Sequence, residues 1–326
     1  MTNTIVVFTR GPSTDYVHRL QELANQSDTP LVFKAVDSSQ PVDQLAAQCA
    51  GAPVIISGNY YEGLELARLL PDLQLFQATT AGTDWLDVVG LHKLGVLVSD
   101  NNGANAVAVA EHTIALIFAA IHKLDQQFAN VEAGTWNKGI DTSAFRTLVG
   151  QRVGLIGLGR IGSRVAKRLA GWQCELVFHD SADLSADYIQ ATGARRLPLD
   201  ELLQTADVVS LHLPLNRLTR GTFSTGEFGL MKKTALFINT CRGPVVDEAA
   251  LIRALETKEI AGAGLDVTEV EPIQADNPLL KMGNVVITPH FAARAVESGL
   301  NTEQHVVANA ARIVRGETPV SLVEPI

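Results

Sequence analysis

One stretch constrains this chain more than any other: Val153-Gly154-Leu155-Ile156-Gly157-Leu158-Gly159-Arg160-Ile161-Gly162. It begins as an apolar strand, breaks at Gly157, Gly159 and Gly162, and continues as a helix from Ile161 to about Ala170. Glycines at this spacing serve a tight turn, close backbone approach to a pyrophosphate, and close packing of helix on strand. The free N–H groups at the helix start, with its dipole, favour phosphate. A second strand, Cys174–His179, ends at Asp180. That is near the ~20-residue distance at which an acid accepts hydrogen bonds from an adenosine ribose. A glycine-rich turn alone says little, but strand, helix and acid in register predict a dinucleotide site.

With 326 residues the chain is long for one core and suits two domains. Hydrophobic residues make up 46% of it, enough for a sizeable core. The formal charge is −9 and no run of Lys or Arg stands out, so nucleic acid is not an expected partner. No apolar run reaches the ~18 residues of a membrane span. Met1-Thr2-Asn3-Thr4 lacks a basic segment and leads directly into Ile5-Val6-Val7-Phe8, so no signal peptide is expected. Cys49, Cys174 and Cys241 are too scattered for a disulfide framework or a Cys-type zinc site. No metal is expected, and a reducing cytoplasm is the default location.

Short apolar runs alternate with helical patterns through the first hundred or so residues. The predicted strands are Ile5–Thr9, Leu31–Val36, Pro53–Ser57, Leu73–Thr79 and Val96–Ser99. The helices between them are Ser13–Ala24, Val42–Cys49, Gly63–Leu70 and Trp85–Leu94. Such alternation argues for a parallel sheet covered on both faces. It ends at Asp100-Asn101-Asn102-Gly103, read as a hinge. A helix from about Ala106 to Lys123 follows. It is apolar on more than one face, so it is buried or lies in an interface, and a homodimer is expected. After the glycine-centred unit come strands Val208–Leu213, Ala235–Thr240, Ile260–Val267 and Asn284–Thr288, the helix Asp247–Thr257, and a closing helix Ala292–Arg315.

Ligands of open α/β sheets bind beyond the carboxyl ends of strands. Arg242, Glu271 and His290 lie at such ends. Singly, Arg242 reads equally as a surface cap, Glu271 as a solvated loop acid and His290 as a helix-start residue. Together, beside a nicotinamide site, they supply what hydride chemistry on a 2-hydroxy acid needs. Arg grips a carboxylate with two parallel hydrogen bonds. His exchanges a proton near neutral pH. A carboxylate beside it favours the charged imidazole and orients the ring.

Over nearly its whole length, and most strongly from Gly150 to Pro289, the chain resembles the D-isomer-specific 2-hydroxyacid dehydrogenases. The matching stretches are Val109-Ala110-Glu111-His112, Gly157–Gly162, His212-Leu213-Pro214-Leu215, Ile238–Asp247, Gly264-Leu265-Asp266-Val267 with Glu271-Pro272, and Thr288-Pro289-His290. The resemblance implies two doubly wound parallel-sheet domains. One is a Rossmann NAD-binding domain over residues 103–292. The other is a flavodoxin-like substrate domain over 1–102 plus 293–326. It makes His290 the acid–base, Glu271 its partner, and Arg242 the grip on the 2-oxo acid. Ala81 and Gly82, in the turn Thr80–Asp84, would bind the substrate carboxylate through backbone N–H groups. Arg160 and Ile161 would lie at the pyrophosphate and Asp266 at the nicotinamide end. Leu213, Pro214, Thr240, Cys241, Arg242, His290 and Ala293 would line the cofactor. Family members dimerise through the region of the Val109–Lys123 helix.

Three departures bear on the substrate. Asp100 stands where Asn is common, Thr268 where an aromatic is common, and Phe291–Ala295 where Gly and Thr are frequent. Ser57–Tyr61 contains no Lys or Arg, which disfavours a substrate with a second phosphate. The chain ends near residue 326, leaving no room for an appended regulatory domain. The expected activity is NAD-dependent interconversion of a small 2-oxo and 2-hydroxy acid. Two alternatives are an NAD(H)-sensing, corepressor-like binding protein and a formate-type dehydrogenase. The second is disfavoured by Glu271, where that branch resembles a Gln. Asp180, followed by Ser181-Ala182-Asp183, predicts NAD over NADP, while Arg195 and Arg196 could fold back and weaken that preference.

Overall fold

The computed structural model describes residues 3–10, 14–58, 61, 63–143 and 145–325. The predicted helix start at Ser13, the N-terminal Met1 and Thr2, and Asn59 and Tyr60 of the segment without Lys or Arg lie outside these residues. The chain divides into two units, Met1–Asn105 with Ala295–Ile326, and Ala106–Arg294.

In the first unit the strands are β1 (Asn3–Thr9), β2 (Leu31–Asp37), β3 (Val54–Ser57), β4 (Leu75–Ala78) and β5 (Leu97–Ser99). They form a parallel sheet in the order β2-β1-β3-β4-β5. Helices α1 (Asp15–Ala24), α2 (Val42–Cys49), α3 (Leu64–Ala67) and α4 (Val88–Lys93) connect them. The continuous apolar run of β1 follows from cover on both faces. Ile5 and Val7 pack with Leu20 and Val306 on one face, and Val6 and Phe8 with Leu45 and Phe76 on the other. The strand order is the flavodoxin-like one.

The second unit holds β6 (Arg152–Ile156), β7 (Glu175–His179), β8 (Arg195–Arg196), β9 (Val208–Leu211), β10 (Leu236–Asn239), β11 (Gly262–Leu265) and β12 (Val285–Ile287). All are parallel, in the order β12-β11-β10-β9-β6-β7-β8. Its helices are α5 (Ala106–His122), α6 (Leu124–Glu132), α7 (Gly162–Leu169), α8 (Ala186–Gln190), α9 (Leu199–Thr205), α10 (Thr225–Leu230) and α11 (Glu248–Glu256). The last helix of the chain, α12 (Val296–Val314), belongs to the first unit. There Asn309, fully buried, donates to Gln77 Oε1 at 2.8 Å and Ser99 Oγ at 3.0 Å, fixing the helix to the sheet.

Two helix boundaries change. The helix predicted to run to Lys123 stops at His122: Lys123 takes a left-handed φ of 49°, and α6 leaves at 69° to α5. The closing helix begins at Val296 rather than Ala292, because Ala295 is extended, with φ −145° and ψ 151°, and cannot lie inside a helix. Helix α5 packs within its own unit on β10, β11, β12 and α7 with Leu116, Ile117 and Ile121 buried, in line with the buried reading of its apolar faces, while Val107 stays 46% exposed and Ile114, Phe118 and Ala120 half-buried. Glycine in β11 lets α5 approach closely, since a Cβ on Gly264 would stand 3.3 Å from that of Leu116. Among the described residues no single helix is long and apolar enough to cross a membrane.

Candidate active site

From β6 the second sheet is built outward through β7 and β8, then from β9 in the opposite direction to β12. The crevice between β6 and β9 is therefore the switch point, where a ligand is expected beyond the strand ends. The glycine turn lies there. Gly157 has φ +95, and a Cβ on it would be 2.5 Å from the carbonyl oxygen of His212. On Gly162 a Cβ would be 2.1 Å from the carbonyl oxygen of Gly157. Gly159 differs: a Cβ there would meet nothing within 4 Å. Two glycines are required by the packing of the turn, and the third borders open space. His212, at the end of β9, holds Nε2 at 3.1 Å from Ser210 Oγ, while its buried Nδ1 has no partner among the described residues. Desolvation pushes its imidazole down to about 3, so the ring is neutral near pH 7. An open glycine at a helix start and an orphaned buried ring nitrogen fit a dinucleotide.

Around the turn, Ile161 precedes α7, Arg160 is exposed, and Leu213 reaches to 3.4 Å of the Gly157 Cβ position. Asp180 follows β7. Its carboxylate accepts from Leu158 N at 2.7 Å and from Ala182 N at 2.8 Å, one oxygen each, leaving lone pairs on both. Arg196 does fold back. It donates to the carbonyls of Asp180 at 2.7 Å and Ala182 at 2.8 Å, with its guanidinium 5.1 Å from the Phe178 ring centre.

Arg242, Glu271 and His290 follow β10, β11 and β12, which are neighbours in the sheet. Adjacent parallel strands thus deliver residues remote in sequence to one edge. His290 Nδ1 lies 2.6 Å from Glu271 Oε2, a short charge-assisted contact. Glu271 Oε1 accepts from Thr268 N at 3.2 Å, so the carboxylate is fixed at both oxygens. A carboxylate accepts, hence the Nδ1 hydrogen points to it, and Nε2 is left without a partner among the described residues. The imidazole is 41% exposed, so that nitrogen is reachable. The Asn239 side chain shapes the turn that carries Arg242: it accepts from Cys241 N at 3.0 Å and donates to Arg242 O at 3.1 Å. Arg242 Nη1 donates to Cys241 O at 2.9 Å. Thr240 is buried with its hydroxyl 2.8 Å from that of Thr113, and Cys241 is buried with its thiol 3.1 Å from Asn239 Oδ1.

Asp266 is only 1% exposed. Its Oδ1 accepts from Thr288 Oγ1 at 2.6 Å and Phe291 N at 2.9 Å, and its Oδ2 from Ala292 N at 2.9 Å. Its backbone oxygen accepts from His290 N at 2.8 Å. Burial raises the Asp266 pKa, but donors from His112, Thr288 and the two backbone N–H groups outweigh it and leave the carboxyl below its ordinary value. His112 Nε2 lies 2.9 Å from Thr288 Oγ1 and 3.5 Å from Asp266 Oδ1. Pro214 is exposed and Ala293 half-buried.

In the first unit, the turn after β4 is shaped by its own side chains. Thr80 Oγ1 and Trp85 Nε1 both donate to Gly82 O, at 2.6 and 3.1 Å. The N–H groups of Ala81 and Gly82 have no partner among the described residues.

Four residues near these groups carry no role in the sequence reading: His112, His212, Asn239 and Thr288. Each stands inside a motif quoted above, so the signal was position. Which way the side chains turn is visible only in the fold.

A sequence model described as "D-isomer specific 2-hydroxyacid dehydrogenase, NAD binding domain" matches residues 114–292. The chain is 32% identical over 326 residues to glyoxylate/hydroxypyruvate reductase B of Citrobacter koseri, covering 100% of this chain and 99% of that one. It is 35% identical to D-3-phosphoglycerate dehydrogenase of Archaeoglobus fulgidus over 81% of its own length, and spans about half of that longer protein, 49%. Among solved structures, a glyoxylate reductase from Paecilomyes thermophila superposes with a TM-score of 0.86 at 26% identity, covering 99% of this chain and 98% of that one.

Proposed function

The chain belongs to the D-isomer specific 2-hydroxyacid dehydrogenases and works with a nicotinamide cofactor, and we propose that it reduces a small 2-oxo acid to the 2-hydroxy acid, with NAD(H) preferred. The observation that carries this reading is the Glu271–His290 pair, with Nδ1 held at 2.6 Å and Nε2 left to face a substrate.

Bound nicotinamide supplies the hydride. Arg242 grips the substrate carboxylate with its planar fork. The free N–H groups of Ala81 and Gly82 keep the role that the resemblance gives them, as donors to that carboxylate. His290 donates a proton from Nε2 to the C2 oxygen as negative charge develops there. Glu271 holds the ring by Nδ1 and stabilises its charge while the proton is present. The turn of Gly157, Gly159 and Gly162 takes the pyrophosphate. Thr240, Cys241, Leu213, Pro214 and Ala293 line the cofactor, and Asp266 borders the nicotinamide end. Asp180 offers its remaining lone pairs to the ribose hydroxyls. The relatives named for glyoxylate and hydroxypyruvate suggest a substrate of two or three carbons.

The proposal includes a homodimer. Its support moves from α5 to the segment after it, where Phe128 is 68% exposed, Val131 57% and Trp136 72%. Apolar side chains this exposed along one segment suit a protein interface. The cysteines are unpaired, in keeping with a reducing cytoplasm.

The test is nicotinamide absorbance with NADH or NADPH against glyoxylate, hydroxypyruvate, pyruvate and larger 2-oxo acids. His290→Ala should lower kcat about 10²–10⁴-fold, the usual range for a lost general acid, while NADH binding by fluorescence survives. If no 2-oxo acid consumes reduced nucleotide, or His290→Ala turns over at the wild-type rate, this reading fails. A monomer mass by light scattering would remove the dimer.

A further inference from the structure

We propose that His112, a residue of helix α5, positions the catalytic imidazole through a directed relay, His112 Nε2–H to Thr288 Oγ1–H to the Asp266 carboxylate. The proposal rests on His290 being the proton donor of the reaction assigned above.

The direction of the relay follows from hydrogen counting. Thr288 carries one hydroxyl hydrogen. An ionised carboxylate can only accept, and Asp266 Oδ1 lies 2.6 Å from that hydroxyl, so the hydrogen goes to Asp266. The Thr288 oxygen must then accept from its other neighbour, His112 Nε2, at 2.9 Å. His112 therefore carries hydrogen on Nε2, and the same nitrogen, at 3.5 Å from Asp266 Oδ1, adds positive potential to the carboxylate.

The relay ends at a left-handed turn. His290 has φ +57, a left-handed conformation uncommon outside glycine but entered more often by histidine than by most side chains. Asp266 holds that conformation from both sides. Its carbonyl takes His290 N at 2.8 Å, and its carboxylate takes the N–H groups of Phe291 and Ala292, both at 2.9 Å. With its backbone fixed, the imidazole meets Glu271 at 2.6 Å and presents Nε2. Without the His112 donor, the Thr288 oxygen loses its partner and its hydroxyl is free to rotate off Asp266. The carboxylate then holds the turn with fewer constraints on its own orientation. His112 touches neither member of the Glu271–His290 pair, so it is a positioning residue.

The relay predicts a pattern that loss of packing on α5 would not give. His112→Leu and Thr288→Val should lower kcat about 10- to 100-fold, the scale of a small misplacement of a reacting group. The KM for reduced nucleotide should hold. His112→Gln, which keeps an N–H near the Nε2 position, and Thr288→Ser, which keeps the hydroxyl, should recover most of the rate. The double variant His112→Leu/Thr288→Val should be no worse than either single one, because both interrupt one chain.

Amide exchange followed by NMR supplies a readout that needs no substrate. Exchange at Phe291 and Ala292 should quicken in His112→Leu and Thr288→Val and return to the wild-type rate in His112→Gln and Thr288→Ser. Unchanged exchange in His112→Leu overturns the relay. So does a kcat lost equally in His112→Gln and His112→Leu. If the wild-type enzyme reduces no 2-oxo acid, the proposed reaction fails, while the exchange rates still decide whether His112 holds the turn.

Discussion

The glycine turn offers a test that separates residues kept for the fold from one kept for the ligand. At Gly162 an added Cβ would stand 2.1 Å from the backbone carbonyl oxygen of Gly157, and no flexible side-chain end is there to yield. Overpacking of this kind typically costs about 1–3 kcal/mol. Gly162→Ala should therefore lower the unfolding midpoint of the protein alone. At Gly159 the added methyl meets nothing within 4 Å, and the backbone is not left-handed. Gly159→Ala should leave stability unchanged or raise it by about 0.4–1 kcal/mol through a less flexible unfolded chain. Yet the space it fills is where the pyrophosphate must approach the backbone. A clash with a bound phosphate should weaken reduced-nucleotide binding by at least about 10-fold, or ~1.4 kcal/mol. The assay is thermal unfolding without nucleotide, paired with NADH titration by fluorescence, on both variants. Wild-type affinity in Gly159→Ala would refute the placement of the phosphates. An unaltered melting temperature in Gly162→Ala would refute the packing argument.

The remaining predictions concern chemistry, cofactor choice and pH. Arg242→Lys should raise the KM for the 2-oxo acid and lower kcat together, since an ammonium cannot reproduce a planar fork; steady-state kinetics on the best panel substrate decides. Asp180→Ala should narrow the ratio of kcat/KM for NADH over NADPH, and Arg196→Ala should widen it, because Arg196 brings a cation to the end of β7 where a 2′-phosphate would lie. Higher efficiency with NADPH in the wild type would show that Arg196 outweighs Asp180. His212 predicts acid sensitivity: its folded pKa, about 3, lies below the unfolded value of 6.5, so between these pH values only the unfolded chain takes the proton and stability falls as pH falls. From pH 7.5 to 5.5 the loss should be about 1.4 kcal/mol from this group, measured by urea unfolding, and His212→Asn should lack that part of the slope.

Much of this arrangement was legible in the sequence because local and global signals agree. The run Val153–Ile156 must be a strand buried on both faces, and the glycines after it fit a single kind of turn. The adjacency of Arg242, Glu271 and His290 followed from their places after successive strands, given that successive parallel strands tend to be neighbours. What stayed hidden depends on side-chain direction. Asp180 reads as a ribose acceptor by position, yet its carboxylate also braces the glycine turn through Leu158 N. Arg196 was visible only as a nearby cation, and its grip on the carbonyls after β7 needs the fold. The apolar faces of α5 could mean a subunit interface or a covered helix, and composition cannot separate the two. Small residues in β11 are what let the helix settle on its own sheet.

The closing helix shows why the misread boundary falls beside the reacting group. The composition of residues 292–295 favours continuing a helix back to Ala292, and helix propensity alone would place its start there. The fold instead makes Ala295 extended, with φ −145° and ψ 151°, so the helix starts only after it. The left-handed φ of 57° at His290 and the N–H groups that Asp266 accepts from the next two residues both lie in the stretch before that helix. Strained backbone tends to survive where its surroundings over-determine it, often at functional sites. Here the surroundings are three hydrogen bonds that the N–H groups of His290, Phe291 and Ala292 donate to Asp266. The cost of the turn is met by a buried carboxylate whose burial is in turn offset by Thr288 and His112. Replacing His290 by glycine would relieve the backbone and remove the imidazole together. A comparison of His290→Gly with His290→Ala therefore isolates the strain: the glycine variant should be the more stable of the two, because alanine gains nothing from a left-handed φ.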